Sequence, residues 1–193
     1  MKHLKLIALT LSIVFATACK DNKKESQEAD DMQVEDVVKE DATPKKLSIT
    51  LSPKSGSNVD GTVNFIEKDG KVTMVGTVTG LEEGKHAIHI HEKADCSAED
   101  GTSAGGHWNP TAQPHGAWGD AGGYHKGDIG NINVNANGRG EVTLTTDEWC
   151  IGCGDDTKDI LGKAIIVHID ADDLTTQPTG AAGARVACAG IIE

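Results

Sequence analysis

Seven of the eight histidines in this 193-residue chain lie between His86 and His168, in a sequence with one tyrosine and two phenylalanines. His89 and His91 stand two apart in the alternating stretch 86–91, so on a β-strand both imidazoles leave one face and can converge on one ion. His107, His115 and His125, with Asp128, run along and just past a long glycine-rich segment, and His168 ends another apolar run. Neutral imidazole suits copper and zinc, and three imidazoles with one carboxylate form the closed tetrahedral set of a structural zinc. Two metal ions are the natural count. Any one of these histidines would more often be a surface or hydrogen-bonded residue. Together, in a core without metal, each buried ring would need partners of its own. Spacing alone leaves a zinc hydrolase, a copper store and a redox enzyme open.

The elements that must position these residues read as strands. The stretch 47–51 (LSITL) alternates with period two, and 62–66 and 72–78 are strand-like, with Asp69-Gly70 as a hairpin turn between them. The alternation continues over 86–91. Runs at 129–134 and 141–145 flank Asn137-Gly138, and 164–169 and 186–191 supply the last two of eight. Segments 92–124, 146–160 and 170–184 lack periodicity, and loops of that length in a compact domain are usually functional or held by something. With 3% aromatics and 23 glycines, the chain is expected to be all-β, with one folded domain.

That domain is expected over 46–193. Lys2 and Lys5 precede an apolar run over 6–16 that closes on Ala16-Thr17-Ala18-Cys19, the pattern of a secretory signal. The run is too short to span a bilayer. A cysteine directly after small residues resembles a bacterial lipobox, with Ala16 where leucine is more usual. Cys19 would then carry lipid at the start of the mature protein and anchor it, exported, on the periplasmic or cell-envelope side of a membrane. Residues 20–41 hold nine acids, four bases and little that is apolar, so 20–45 reads as a disordered acidic tether. From Lys45 onward the chain carries a net charge of −9, which argues against non-specific nucleic-acid binding. Five cysteines become four once Cys19 is assigned to lipid, and an even number in an exported domain suggests disulfides. Cys150 and Cys153 stand too close to staple distant elements, whereas Cys96 and Cys188 would close a long loop.

From about Lys46 to the C-terminus the chain resembles the copper/zinc superoxide dismutase family. Gly84-Lys85-His86-Ala87-Ile88-His89-Ile90-His91 is similar to its first copper motif. Thr102-Ser103-Ala104-Gly105-Gly106-His107-Trp108-Asn109-Pro110 is similar to its bridging-histidine motif, and His125-Lys126-Gly127-Asp128-Ile129-Gly130-Asn131 to its zinc motif. Segments 162–168, 172–174 and 180–188 complete the series in order. The resemblance implies an eight-stranded Greek-key β-barrel or sandwich. It implies copper on His89, His91, His107 and His168, and zinc on His107, His115, His125 and Asp128, with His107 bridging. It makes His86 a structural histidine whose hydrogen bonds brace the copper region, and Asp172 a carboxylate linking His89 to His115. It pairs Cys96 with Cys188 and sets Arg185 beside the copper to dock the superoxide anion, which would be dismuted to dioxygen and hydrogen peroxide. A monomer and a homodimer are both compatible with it.

Three features depart from the family's pattern. Ala87-Ile88 stands where Gly-Phe is usual, the loop 172–185 is short and has no lysine, and Cys150-Ile151-Gly152-Cys153 is extra. That last pair is expected to be a local structural disulfide. The rival to an enzyme is an exported copper/zinc buffer or chaperone-like domain, which would be expected to lack a ligand or the arginine.

Overall fold

The computed structural model describes residues 43–193. The predicted signal, Cys19 and most of the tether lie outside the described residues. Eight strands follow one another: β1 (Lys45–Pro53), β2 (Asp60–Lys68), β3 (Lys71–Thr79), β4 (Gly84–His91), β5 (Gly130–Val134), β6 (Arg139–Thr146), β7 (Ala164–His168) and β8 (Arg185–Gly190). They close into an antiparallel barrel in the order β1-β2-β3-β6-β5-β4-β7-β8, so consecutive β3 and β4 are not neighbours: the chain crosses from β3 to β4 over residues 80–83 and from β6 to β7 over residues 147–163. Closure leaves no sheet edge unpaired. The strand at Lys45 begins where the sequence reading still placed tether. Lys45 pairs with Glu67 across β2, and its ammonium reaches both Glu67 and the Ile151 carbonyl.

β1 to β3 follow the period-two rule. Ile49, Leu51, Val63, Phe65, Val72, Met74 and Val78 fill the barrel, and polar residues alternate outward. Burying each such large side chain stabilises the fold by about 1.5–3 kcal/mol. Asp69 and Gly70, with φ of 52° and 73°, make the tight β2–β3 turn in the left-handed conformation that matches strand twist.

β4 and β7 behave differently, because they are buried on both faces. Ile88, Ile90, Ile165 and Val167 face the barrel core, while His89, His91, Ile166 and His168 take the opposite parity. Loops cover that outer face. A second apolar cluster of Ala104, Ala164, Ile166 and Cys188, with Cys96 against it, lies there. The Cys96–Cys188 disulfide joins Cα atoms 5.8 Å apart across 92 residues. On the chain-entropy view a loop of that length makes the bond worth about 5 kcal/mol, which pins the 92–124 segment over the sheet.

Candidate metal centre

Strand pairing brings the histidines together. His89 lies opposite Ile166 and His91 opposite Ala164, which sets the outer face of β4 beside that of β7 and its terminal His168. His107 reaches them through the loop, forming an isolated bridge with His91, while Trp108 N–H donates to the Ile90 carbonyl at 2.8 Å. Gly127 N–H in turn donates to the Trp108 carbonyl at 3.0 Å, carrying the His125–Asp128 segment into place.

One donor atom each from His89, His91, His107 and His168 lies within 4.8 Å of the others, and the same holds for His107, His115, His125 and Asp128. All are buried. His107 belongs to both groups. Its Nδ1 is 2.8 Å from Asp128 Oδ1, and its Nε2 has no hydrogen-bond partner among the described residues.

In the first group the nitrogen that faces away from the cluster is tied to an acceptor. His91 Nδ1–H donates to Gly105 O at 2.9 Å, His168 Nδ1–H to Gly183 O at 3.2 Å, and His89 Nε2–H to Asp172 Oδ2 at 2.8 Å. Each bond fixes the tautomer, leaving a lone pair on the other nitrogen. Burial pulls His91 well below its ordinary range, takes His107 to about 4 despite its bond to Asp128, and takes His168 to about 3 with the His89 ring adding to it. These rings are neutral, as ligation requires.

Asp172 spans both groups. Its Oδ1 accepts His115 Nε2–H at 2.9 Å, so one carboxylate orients a ring in each cluster. For His115, burial lowers the pKa, but Asp128 and Asp172 more than offset this and leave it at about 9. A metal there would displace the proton that its Nδ1 shares toward Asp128 Oδ2 at 3.0 Å. Burial alone would raise the Asp128 and Asp172 carboxyls, and the surrounding imidazoles instead hold both below the carboxylate range.

Four buried nitrogens aimed into the clusters have no partner among the described residues: His89 Nδ1, His91 Nε2, His107 Nε2 and His168 Nε2. Leaving such groups unsatisfied costs about 1–3 kcal/mol apiece. Four together would cost about 4–12 kcal/mol, comparable to the whole net stability of a domain, about 5–15 kcal/mol. The arrangement fits residues that complete their valence on metal. Four imidazoles suit copper; three imidazoles and a carboxylate suit zinc.

Arg185 sits at the start of β8, half buried, with Nη1 and Nη2 each 2.8 Å from a loop carbonyl, Gly101 O and Gly105 O. Gly105 O therefore holds His91 and the guanidinium at once. Among the described residues no carboxylate forms an ion pair with Arg185. Lys126 is paired with Glu148, and Lys163 lies 5.7 Å over the Trp108 ring.

His86 corrects one expectation. Its Nε2 bonds the Glu82 carbonyl at 3.0 Å in the β3–β4 connection, and its Nδ1 has no partner among the described residues, so no hydrogen bond from it reaches His89, His91, His107 or His168. The strand places its ring away from them, three residues before His89. Sequence reading also missed two clamps. The Asn131 amide bonds both the N–H and the carbonyl of Asp172, at 2.8 and 2.9 Å, and Gln177 does the same for His115 at 2.8 Å each way. Nothing in their spacing signals this, because the partners are backbone groups 41 and 62 residues away.

Comparison with known proteins agrees with this site. Residues 59–191 match the family described as copper/zinc superoxide dismutase. A copper/zinc superoxide dismutase 2 from Brassica juncea is 39% identical over 145 residues, covering 72% of this chain and 91% of its own. A SOD-like protein from Bacillus subtilis superposes with a TM-score of 0.67 at 31% identity, covering 75% of this chain and 97% of its own. A double mutant of it gives 0.67 at 32%, covering 76% and 97%. With four imidazoles beside three imidazoles and a carboxylate, and with that match across most of its folded length, the chain belongs to the copper/zinc superoxide dismutase family. It is an oxidoreductase whose cofactors are copper and zinc and whose substrate is superoxide.

Proposed function

We propose that His89, His91, His107 and His168 hold the catalytic copper, and that His107, His115, His125 and Asp128 hold a structural zinc, His107 bridging the two. The observation that carries this is His107, whose two ring nitrogens serve the two donor groups separately. Copper, when bound, supplies one-electron exchange between Cu(II) and Cu(I), and the net reaction turns two superoxide ions and two protons into dioxygen and hydrogen peroxide.

The chain's own residues set the conditions for that chemistry. Arg185 keeps its charge and has donors beyond the two bonded to loop carbonyls, which suits it to dock a small anion. His107 can hold a proton at Nε2 and pass it to the product while its Nδ1 stays with the second donor group, beside Asp128. Asp172 fixes His89 and His115 together, so the two donor groups cannot rotate independently. The zinc group has four protein donors, which leaves no open position for a hydrolytic water.

His168→Ala should abolish dismutation while one zinc per chain stays bound. Retained activity, or loss of zinc with copper kept, would overturn the assignment. We also propose that the chain is exported and lipid-anchored through Cys19, a reading supported by two disulfides in the described domain. Mass spectrometry of the mature N-terminus would show an acylated cysteine; an unmodified N-terminus elsewhere would refute it.

A further inference from the structure

The Cys150–Cys153 pair lies apart from both histidine groups, in the loop between β6 and β7. Its disulfide spans only three residues, with Cα atoms 6.0 Å apart. A bond across so short a segment removes little loop entropy, and this segment is already held without it. Cys150 N–H donates to Lys158 O at 2.9 Å, and Ile160 N–H to Cys150 O at 3.1 Å. Ile151 N–H is taken by Glu67 and its carbonyl by Lys45. Trp149, Ile151 and Ile160 anchor the loop in the barrel core.

Asp159 completes the scaffold. Its Oδ1 accepts Gly152 N–H at 2.9 Å and Leu161 N–H at 3.1 Å, and its Oδ2 accepts Gly154 N–H at 2.9 Å. Burial would raise its pKa, but these amides, with that of Cys153, hold it below the ordinary range. The backbone thus keeps the two cysteines close whether or not their sulfurs are bonded. Cys150 is buried and Cys153 is exposed, so one sulfur is fixed and the other is open to attack and free to turn aside.

We propose that Cys150 and Cys153 form a reversible dithiol site that, once reduced, binds one Cu(I) ion between two thiolates. A thiol reductant opens the bond by exchange at Cys153: two thiols on the reductant become its disulfide, and Cys150 and Cys153 each gain a hydrogen. Binding then releases both protons, leaving a two-coordinate copper(I) bis-thiolate. The ligand count selects the metal. The Asp159 carboxylate stands close enough to be a third donor, but both its oxygens are engaged by backbone amides. Two soft sulfurs suit Cu(I), whereas Zn(II) needs about four ligands.

The test uses the full chain with its copper and zinc sites already loaded, held without oxygen. A water-soluble phosphine opens the disulfide; it takes up oxygen from water as two thiols form, and is then removed. Thiol labelling should fall on Cys150 and Cys153, with Cys96 and Cys188 still bonded and zinc retained. Cu(I) presented on the chromophoric chelator bicinchoninate should then transfer at one added ion per chain. Untreated protein should take none. Cys153→Ser, at an exposed position, should hold the added ion at least 100-fold more weakly. The proposal is overturned if the pair resists reduction, if the thiols form and no copper transfers, or if Cys153→Ser binds as tightly as the parent. None of these outcomes depends on dismutation, so failure here is distinct from failure of the catalytic assignment.

Discussion

Replacing Asp172 by asparagine removes one acceptor from a junction that serves three donors. Oδ1 takes N–H groups from both His115, at 2.9 Å, and Leu174, at 2.7 Å, while Oδ2 takes only His89 Nε2–H at 2.8 Å. The amide oxygen of asparagine will settle where two donors await it, turning its NH2 toward His89. His89 must then either lose its bond or move its proton to Nδ1, the nitrogen that faces the other three rings. Loss of one buried, charge-assisted hydrogen bond costs about 1.5–3 kcal/mol. At about 1.4 kcal/mol per tenfold, copper should bind roughly 10- to 150-fold more weakly, in line with the 10- to 100-fold that outer-shell partners of metal ligands typically contribute. Zinc affinity should fall less, because His115 keeps its acceptor. Competition against a graded series of chelators, run separately for each metal, measures both. Copper held within twofold of the parent, or zinc weakened more than copper, would refute the reasoning.

Other perturbations follow from the same geometry. A methyl at Gly180 would stand 1.8 Å from Asp172 Oδ1 and 2.7 Å from His115 Nε2, at φ +65°. Gly180→Ala should therefore cost at least 1–2 kcal/mol by about the left-handed penalty alone and weaken zinc as Asp172 is pushed aside; unchanged denaturant midpoint and zinc affinity would contradict this. Tyr124, the one tyrosine of the chain, donates to Glu148 Oε1 at 2.5 Å, and that bond, with burial and the carboxylate's charge, lifts its pKa to about 12. Because the folded value is raised, this contribution to stability is full below the ordinary value of 10 and is lost as pH rises through 12. Near-ultraviolet titration of the folded protein should show the raised midpoint, and Glu148→Gln should return it toward the ordinary value; a parent midpoint near 10 would contradict the contact. Arg185→Ile should slow dismutation and flatten its dependence on ionic strength with both metals retained, and an unchanged rate would remove the docking role.

Periodicity made most of the barrel readable. Alternation in 47–51 and 72–78 survives because one face of each strand meets the core and the other meets water. It also placed His89 and His91 on one face, since Ile88 and Ile90, which alternate with them, had to point inward. The β4 and β7 strands are buried on both sides, and their sequence shows only that they are strands, not that metal-binding loops cover them. The ends were less sharp: Ile129 and Ile169 lie outside β5 and β7, and Lys45 lies inside β1 although nothing apolar marks it. The pairing of loops was not readable from pattern. Gly105 and Gly183 act through carbonyl oxygens, Asn131 and Gln177 through bonds to backbone, and Asp159 through amides of its own loop. Such contacts depend on where the chain is folded in space, and side-chain type says nothing of them. The family resemblance supplied the link of Asp172 to His89 and His115 that spacing could not, while the hydrogen bond that His86 makes goes to Glu82 in the β3–β4 connection.

The central claim is that a copper held by four imidazoles would supply the redox step beside a closed zinc group that shares His107 with it. The most direct measurement is superoxide dismutation by the purified full chain after loading with copper and zinc, with metal content determined on the same sample. Fast, cyanide-sensitive dismutation with one copper and one zinc per chain at the histidine groups is the predicted result. Both metals bound in that ratio without dismutation would contradict it, and the chain would then be a metal buffer built on a dismutase fold.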